Sequence, residues 1–337
     1  LRQELPNRSA LGVMFVNRQA TGDFAGSDNY NRSYAVDGRI GVGQNGLISG
    51  FLAKTDTPGR SDEDYAYQIS SSLSLPAARF SANYSDVGDN FNPEVGFLSR
   101  GGFRKVNASI FTYLRVPNMA AFQELRPHMS FTSHWNHEGF QESMQIHMDS
   151  HWEMRAGHEF HTGGNVTREG VTVPFEIFPG VIVPPGTYTH AEANPVIFTN
   201  QGAPLSVRLN AVLGGFFGGT RKQWVPSMRL RIGETFDSEL SFTHNDIDLP
   251  GGDFSTNLWS SRISYSFTPR VYTQALVQYN DRAQAWTSNL RFGWLRDANT
   301  GLFVVYNDTQ GLSQNRSLVR ADRSLTIKFN RMISVFN

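Results

Sequence analysis

The sequence has no cysteine, no charge imbalance and no long apolar run, and each absence closes off a class of protein. Without cysteine there is no disulfide, no thiolate nucleophile and no cysteine-ligated zinc, a composition that suits an exported chain. Thirty basic residues against thirty acidic ones leave no global field to hold nucleic acid, so neither DNA nor RNA is an expected partner. No stretch approaches the roughly 20 consecutive apolar residues of a transmembrane helix, and the chain as a whole is too polar for a helical membrane protein. Charged residues make up only 18% of the 337 positions, while aromatics reach 12% and glycine counts 31. The chain begins at Leu1, with neither an initiator Met nor a charged-then-apolar leader, and is read as processed or as part of something longer.

What is present is alternation, while apolar spacing at i, i+3 and i+4 is nowhere sustained for three turns. Met144, Ile146, Met148, Trp152 and Met154 fall on one face of a segment whose other face carries Gln145, His147, Asp149, His151 and Glu153. Met228, Leu230 and Ile232 likewise oppose Arg229 and Arg231, and Trp259, Ile263, Tyr265 and Phe267 oppose Ser260, Arg262, Ser264 and Ser266. Such segments run about 10 to 15 residues, against about 5 or 6 for strands of soluble proteins. A tilted strand needs about 9 to 11 residues to cross hydrocarbon, where every backbone group must be paired within the protein. The fold expected is all-β: a closed antiparallel transmembrane β-barrel in a bacterial outer membrane, with membrane lipids around it.

Eighteen strand centres are read, near residues 14, 36, 51, 70, 82, 110, 129, 148, 162, 194, 211, 229, 243, 262, 278, 291, 305 and 328. Those near 14, 51, 110 and 305 alternate poorly and the one near 162 is polar and Gly-rich, so sixteen strands stay open. Tight turns are expected at Gly43 to Gly46, Leu75 to Ala78, Arg155 to Gly157, Thr268 to Arg270 and Asp297 to Gly301. Long loops are expected at Ala20 to Tyr30, Asp56 to Asp62, Gly88 to Gly101, Arg168 to Tyr188, Leu249 to Phe254 and Asp308 to Val319. With this count the tight turns share one end and the long loops the other, as in outer-membrane barrels, and both termini are periplasmic. Phe336, one residue from the end, sits close to the terminal aromatic expected of such barrels. No linker divides the chain, so residues 1–337 are read as one domain.

Two segments, Asp89-Asn-Phe-Asn-Pro-Glu-Val-Gly-Phe97 and Pro174 to Tyr188, resemble a bacterial family of unknown function. In that family a barrel-like C-terminal region follows a periplasmic module similar to family 9 carbohydrate-binding domains. Gly214 to Gly219, Gln278-Tyr-Asn280, Asn289 to Trp294, Val305-Tyr-Asn307 and Arg323 to Phe329 carry the same resemblance, which covers most of the chain. It implies an outer-membrane location, a periplasmic domain before Leu1 and an involvement with saccharides. It supplies no catalytic residues.

Seven of the nine histidines lie between 128 and 161, and alternation puts His128, His134, His147, His151 and His161 on the inferred lumen face. Imidazoles at i and i+4 of a strand stand roughly 13 Å apart at 3.3 Å per residue, too far for one ion. The expectation is a polar wall that turns positive on protonation near about pH 6, with no metal site unless ligands converge across strands. Arg208, Arg229, Arg231, Arg262, Arg291 and Lys328 form a basic ladder on the same face. It either selects anions as rings of charge or pairs with acids such as Glu239 and with plug segments. The Val171 to Tyr188 loop, with Pro174, Phe175, Phe178, Pro184, Pro185 and Tyr188, is too rich in proline for a central strand and too apolar to stay in water unpacked. It either folds into the mouth as a constriction or meets a partner protein. A second loop, Phe91, Pro93, Glu94 and Phe97, reads the same way, with Pro93 and Gly96 setting a turn and two Phe anchoring it. Trp224, Trp259, Trp286, Trp294, Tyr265, Tyr279 and Tyr306 fit interfacial girdles, with a carbohydrate-stacking platform as the alternative.

No Walker loop, Gly-x-Ser-x-Gly elbow, His-Glu-x-x-His or dinucleotide fingerprint is found. No catalytic residue and no cofactor is assigned. The leading expectation is a pore or uptake component, its lumen partly closed by residues 171–188. The alternatives are a plugged barrel that anchors a periplasmic domain or a protein partner, and a barrel-embedded hydrolase whose triad would be spatial.

Overall fold

A computed structural model describes all residues except 24, 27, 298–299, 313–317 and 332–337. The expectations about Phe336 and about the tip of the turn at Asp297 to Gly301 fall outside the described residues. Among those described there is no helix and there are 22 strands. Twenty form a single sheet in which every described pairing is antiparallel. Eighteen of the strands reach ten residues or more, and each expected centre lies in one of them.

In chain order the sheet starts with β1 (Arg2–Leu5), β2 (Ser9–Gln19), β3 (Tyr30–Val42), β4 (Gly46–Asp56), β5 (Tyr65–Ser74), β6 (Ala78–Val87) and β7 (Phe103–Thr112). It continues through β8 (Leu114–Arg115), β9 (Phe122–Trp135), β10 (Gln141–Met154) and β11 (Glu159–Val171). A separate hairpin follows, β12 (Phe175–Phe178) with β13 (Val181–Val183). The sheet then resumes with β14 (Gly186–Phe198), β15 (Leu205–Phe216), β16 (Gly219–Ile232), β17 (Phe236–Leu249) and β18 (Gly252–Thr268). It closes its run with β19 (Val271–Asn280), β20 (Ala285–Asp297), β21 (Thr300–Leu312) and β22 (Leu318–Asn330). Each long strand pairs with the next, β11 pairing directly with β14 around the hairpin. No pairing joins β22 to β1 or β2 among the described residues, so the sheet shows two edges.

Register partners in an antiparallel pair share a face. One row therefore runs His147, Asn165, Glu192, Gly214, Arg221, Ile247 and Phe254 across seven strands. This is the polar face. The other face carries exposed apolar side chains, with Ile40 at 62%, Leu52 at 60%, Ile232 at 59% and Ile327 at 65% exposure. Phe242, Trp259, Tyr279 and Trp286 are successive register partners on it, with ring centroids 4.2 Å apart for Phe242 and Trp259 and 4.8 Å for Tyr279 and Trp286. Trp294 sits eight residues along β20 from Trp286, roughly 26 Å at 3.3 Å per residue, so aromatic rings bound an apolar band of about membrane thickness.

The poor alternators are strands because their polar face is itself weakly polar. In β2 it carries Ala10, Gly12, Met14 and Val16, and in β21 Phe303 and Val305. Turns at 43–45, 75–77, 155–158, 233–235 and 269–270 lie at one end, and the long connections 20–29, 57–64, 88–102 and 172–185 at the other. Gly43 and Gly233, at φ 56° and 59°, supply the left-handed residue that such three-residue turns need. The segregation is incomplete, which corrects the expectation. Residues 217–218 and 250–251 are tight turns at the long-loop end, and Leu249 to Phe254 is no long loop. The hairpin explains it: Val181 and Ile182 pack against Gly251 and Gly252, so a longer loop would fill the hairpin's seat. Asp308 to Leu312 likewise extends β21.

At Gly219, the first residue after one tight turn, a Cβ would overlap the Asp248 carbonyl of the paired strand. Gly219→Ala is expected to destabilise the sheet by roughly 1–3 kcal/mol, read as a lower urea midpoint with an unchanged slope.

Candidate functional site on the polar face

The densest chemistry on the polar face lies on β9, β10 and β11. Asp149 is register partner to His128, His151 to His161, and His147 to Asn165. Because strands β9 and β11 flank β10 on either side, side chains that are 13 Å apart along one strand are drawn together around Asp149. Gly163 on β11 lies beside the cluster: a Cβ there would meet the Asn194 carbonyl at 2.7 Å and touch the Asp149 carboxylate at 3.4 Å. His151 Nε2 lies 3.5 Å and His161 Nδ1 3.6 Å from Asp149 Oδ2, with His147 Nε2 at 4.0 Å.

Three of the four rings also hold a hydrogen-bond partner. His147 Nδ1 donates to Asn165 Oδ1 at 2.7 Å, and Asn165 Nδ2 donates in turn to Glu192 Oε1 at 2.8 Å. His128 Nδ1 donates to the Arg126 carbonyl at 3.2 Å, and His161 Nε2 to Glu159 Oε1 at 2.8 Å. The His151 and His161 rings stack with centroids 3.6 Å apart and 6° between planes. Imidazole lone pairs lie in the ring plane, so these parallel rings do not converge on one ion. His128, His147 and Asp149 offer one ligand atom each within 4.8 Å of one another and have no such stacking constraint.

The cluster differs from the expected wall in two respects. His134 stands apart, its Nδ1 3.3 Å from Ser143 Oγ and its ring beside Phe103. Carboxylates also outnumber cations: Arg126 is held by Glu124 at 2.6 Å and Glu153 at 2.5 Å, with Asp149 and Glu159 close by. Protonating the imidazoles therefore first cancels a negative wall before any positive one forms. Glu124, Glu153 and Glu159 were not singled out from sequence because only the register, Glu124 to Glu153 to Glu159, sets them side by side.

The six basic residues of the ladder share the polar face but do not form a free ring of charge. Arg229 pairs with Asp237 at 2.7 Å, while its register partner is Glu239, itself opposite Arg262. Arg231 donates to the Gln201 and Ala203 carbonyls of a turn. Arg208 lies over the Phe198 ring at 5.0 Å and Arg291 over Phe303 at 5.1 Å. Lys328 is exposed on β22. Arg221, which composition gave no reason to choose, pairs with the nearly buried Glu192 at 2.6 Å and lies over Phe216 at 4.8 Å.

The 171–188 segment packs onto this same face at the long-loop end. Val181 and Val183 are buried with Ile247 and Leu249, against Phe178, Tyr188, Phe216, Phe217 and Phe254. Phe178 stacks on Phe254 at 4.4 Å, Phe175 meets Phe217 at 5.6 Å, and Tyr188 Oη donates to the Pro184 carbonyl at 2.7 Å. Pro185 is exposed at its far end. The second loop is held differently from expectation. Pro93 and Gly96 do make a turn, the Gly96 amide donating to the Pro93 carbonyl at 2.9 Å. Phe97, however, is 91% exposed and anchors nothing. Polar contacts hold the loop in its place: Asn31 Nδ2 donates to the Asn92 carbonyl at 2.7 Å, Thr55 Oγ1 accepts from the Asn92 amide at 3.0 Å, and Arg18 pairs with Glu94. Phe91 is half-buried beneath them.

No family model and no curated protein matches this chain. Among solved structures it is similar to a point mutant of the ferric enterobactin receptor of Pseudomonas aeruginosa, at 9% identity and a TM-score of 0.43, over 95% of this chain and 71% of that one.

Burial of Val181 and Val183 stabilises the docked hairpin by roughly 1.5–3 kcal/mol each. Val183→Asp would place an unpaired carboxylate in that cluster. Amide exchange across residues 175–183 is expected to accelerate more than tenfold while the amides of β9 and β10 stay protected.

Proposed function

We propose that this chain is a bacterial outer-membrane β-barrel, closed by β22 against the part of β2 beyond Val13 that β1 leaves unpaired, that acts as an uptake pore narrowed by the β12–β13 hairpin. The observation that carries this reading is the inverted polarity of the sheet. Exposed apolar side chains cover one face, while the other is polar on most of the eighteen long strands and small or apolar on β2 and part of β21, an arrangement that suits lipid outside and water inside. The long-loop end would be external and the short-turn end, where β2 begins and β22 stops, periplasmic.

The mechanism is diffusion past polar side chains. Ion pairs such as Arg221 with Glu192 and Arg229 with Asp237 neutralise part of the wall, while carboxylates outnumber cations around Arg126 and arginines lie on aromatic rings farther round it. A wall of such mixed charge suits neutral polar solutes, which neither patch repels. Saccharides as cargo rest on the family resemblance of the two loop segments, and the chain is proposed to be no enzyme. Ser143 with His134 is a serine–histidine contact on this face, and no carboxylate is hydrogen-bonded to that ring among the described residues.

Single-channel conductance in a planar bilayer tests the pore. A small steady conductance is expected from the intact chain, rising several-fold when residues 174–184 are replaced by a short glycine linker. Silence from both proteins would instead favour the plugged barrel as anchor or scaffold.

Closure is tested separately by cross-linking, for which the natural absence of cysteine is convenient. Phe15→Cys is combined in turn with Arg323→Cys, Leu325→Cys, Ile327→Cys and Phe329→Cys. Neighbouring strands bring Cα atoms within the 4.4–6.8 Å that a disulfide spans. One pair is expected to oxidise to a bridged, faster-migrating species, and failure of all four would sink the closed barrel.

A further inference from the structure

Three loops at the long-loop end, 57–64, 88–102 and 136–140, converge on one buried imidazole. His137, whose side chain is only 9% exposed, brings Nε2 to 3.0 Å from Asp86 Oδ1. Asp86 is itself 5% exposed and accepts at Oδ2 from Tyr67 Oη at 3.2 Å, Tyr84 Oη at 3.4 Å and Arg104 Nε at 3.3 Å. Asp86 accepts the His137 Nε2–H, and a neutral ring in that tautomer has its lone pair on Nδ1.

His137 Nδ1 is buried and has no hydrogen-bond partner among the described residues. It faces two further acceptors, Glu63 Oε2 and Asp89 Oδ2, each at 3.6 Å. A separation of 3.6 Å is too long for a hydrogen bond. It is within a few tenths of an ångström of the roughly 3.0–3.5 Å between adjacent ligands of an ion bound at about 2.0–2.2 Å. Three acceptors pointed at one another repel unless a cation lies between them. We propose that Glu63, Asp89 and His137 form a binding site for a first-row divalent metal ion that clamps the three loops together.

The protein around the trio orients it. Asn90 Nδ2 donates to the Ser61 and Asp62 carbonyls at 2.9 and 3.0 Å, and the Asn90 amide to the Glu63 carbonyl at 3.1 Å, which locks the first loop to the second. Gly88 and Gly102 lie so close to the Glu63 carbonyl and the Asp89 carboxylate that no side chain would fit at either position. Asp86 behind His137 is the carboxylate that commonly orients a metal-bound histidine. Glu63 and Asp89 are 45% and 61% exposed, so ions can enter and waters can complete the coordination shell. One imidazole with two carboxylates suits ions such as Zn²⁺, Co²⁺ or Mn²⁺ better than Ca²⁺, which prefers an all-oxygen shell. The site also gives a role to Asp89, the first residue of the segment that resembles a known family.

The test uses Co²⁺ and the detergent-purified full chain, with bound metal counted by equilibrium dialysis and by the visible absorption of the ion. Glu63→Gln and Asp89→Asn keep side-chain volume at exposed positions, and unchanged far-UV circular dichroism will show that both fold. Each is expected to lose one bound equivalent, or to bind it at least tenfold more weakly. The paired variant His128→Gln, His147→Gln, which removes imidazoles from the polar-face cluster, is expected to keep that equivalent. Unchanged stoichiometry and affinity in Glu63→Gln and Asp89→Asn would overturn the proposal and leave the trio as a loop contact that holds no metal. Loss of the same equivalent only from the polar-face variant would overturn it equally.

Discussion

The constraint on which the rest of this structure depends is the strict two-residue period of an antiparallel ladder, propagated from strand to strand by register. A slip of one residue anywhere would send every polar side chain of that strand to the apolar face. Eighteen long strands hold their period together, interrupted by only a few bulges, as between Ser266 and Thr268 or Thr309 and Gln310. Since neighbouring rungs share a face, the register also decides which charges meet. Glu192 reaches Asn165 on the next strand and Arg221 across Gly214 on the strand between, because all stand on one face of one rung.

That transverse geometry is why the polar face is chemically mixed. Along any one strand its charges look isolated, and the basic residues of β16 look like a ladder of unopposed cations. Across strands they alternate with acids and with aromatic rings, so that Arg229 finds Asp237 and Arg291 finds Tyr272 and Phe303. The four imidazoles around Asp149 arise in the same way, from three adjacent strands.

Strand positions and faces were legible in the sequence because both depend on short-range alternation, and even the weakly alternating stretches near residues 14 and 305 are strands. The pairings were not legible, because no local pattern states which acid on β17 lies beside Arg229. Sequence offered Glu239 only as one partner for the basic ladder as a whole; it is the register partner of Arg229, whose side chain turns diagonally to Asp237. Loop anchoring was legible where it is apolar, as in the Val181 and Val183 hairpin, and misleading where it is polar. Phe97 looked like an anchor by residue type, yet Asn31 and Thr55, remote in sequence, hold that loop. The trio of Glu63, Asp89 and His137 was invisible for the same reason, since its members come from three separate connections.

Val171 and Gly186 are register partners, so the chain leaves the sheet and rejoins it on a single rung. Everything between them is, in topological terms, a cassette. The ladder from β11 to β14 is complete without it, and among the described residues the hairpin is held on the sheet by packing rather than by ladder hydrogen bonds. A lineage or an engineer could exchange that insert for another of different bulk or affinity without re-registering a single strand, and so change what covers the polar face while leaving the wall untouched.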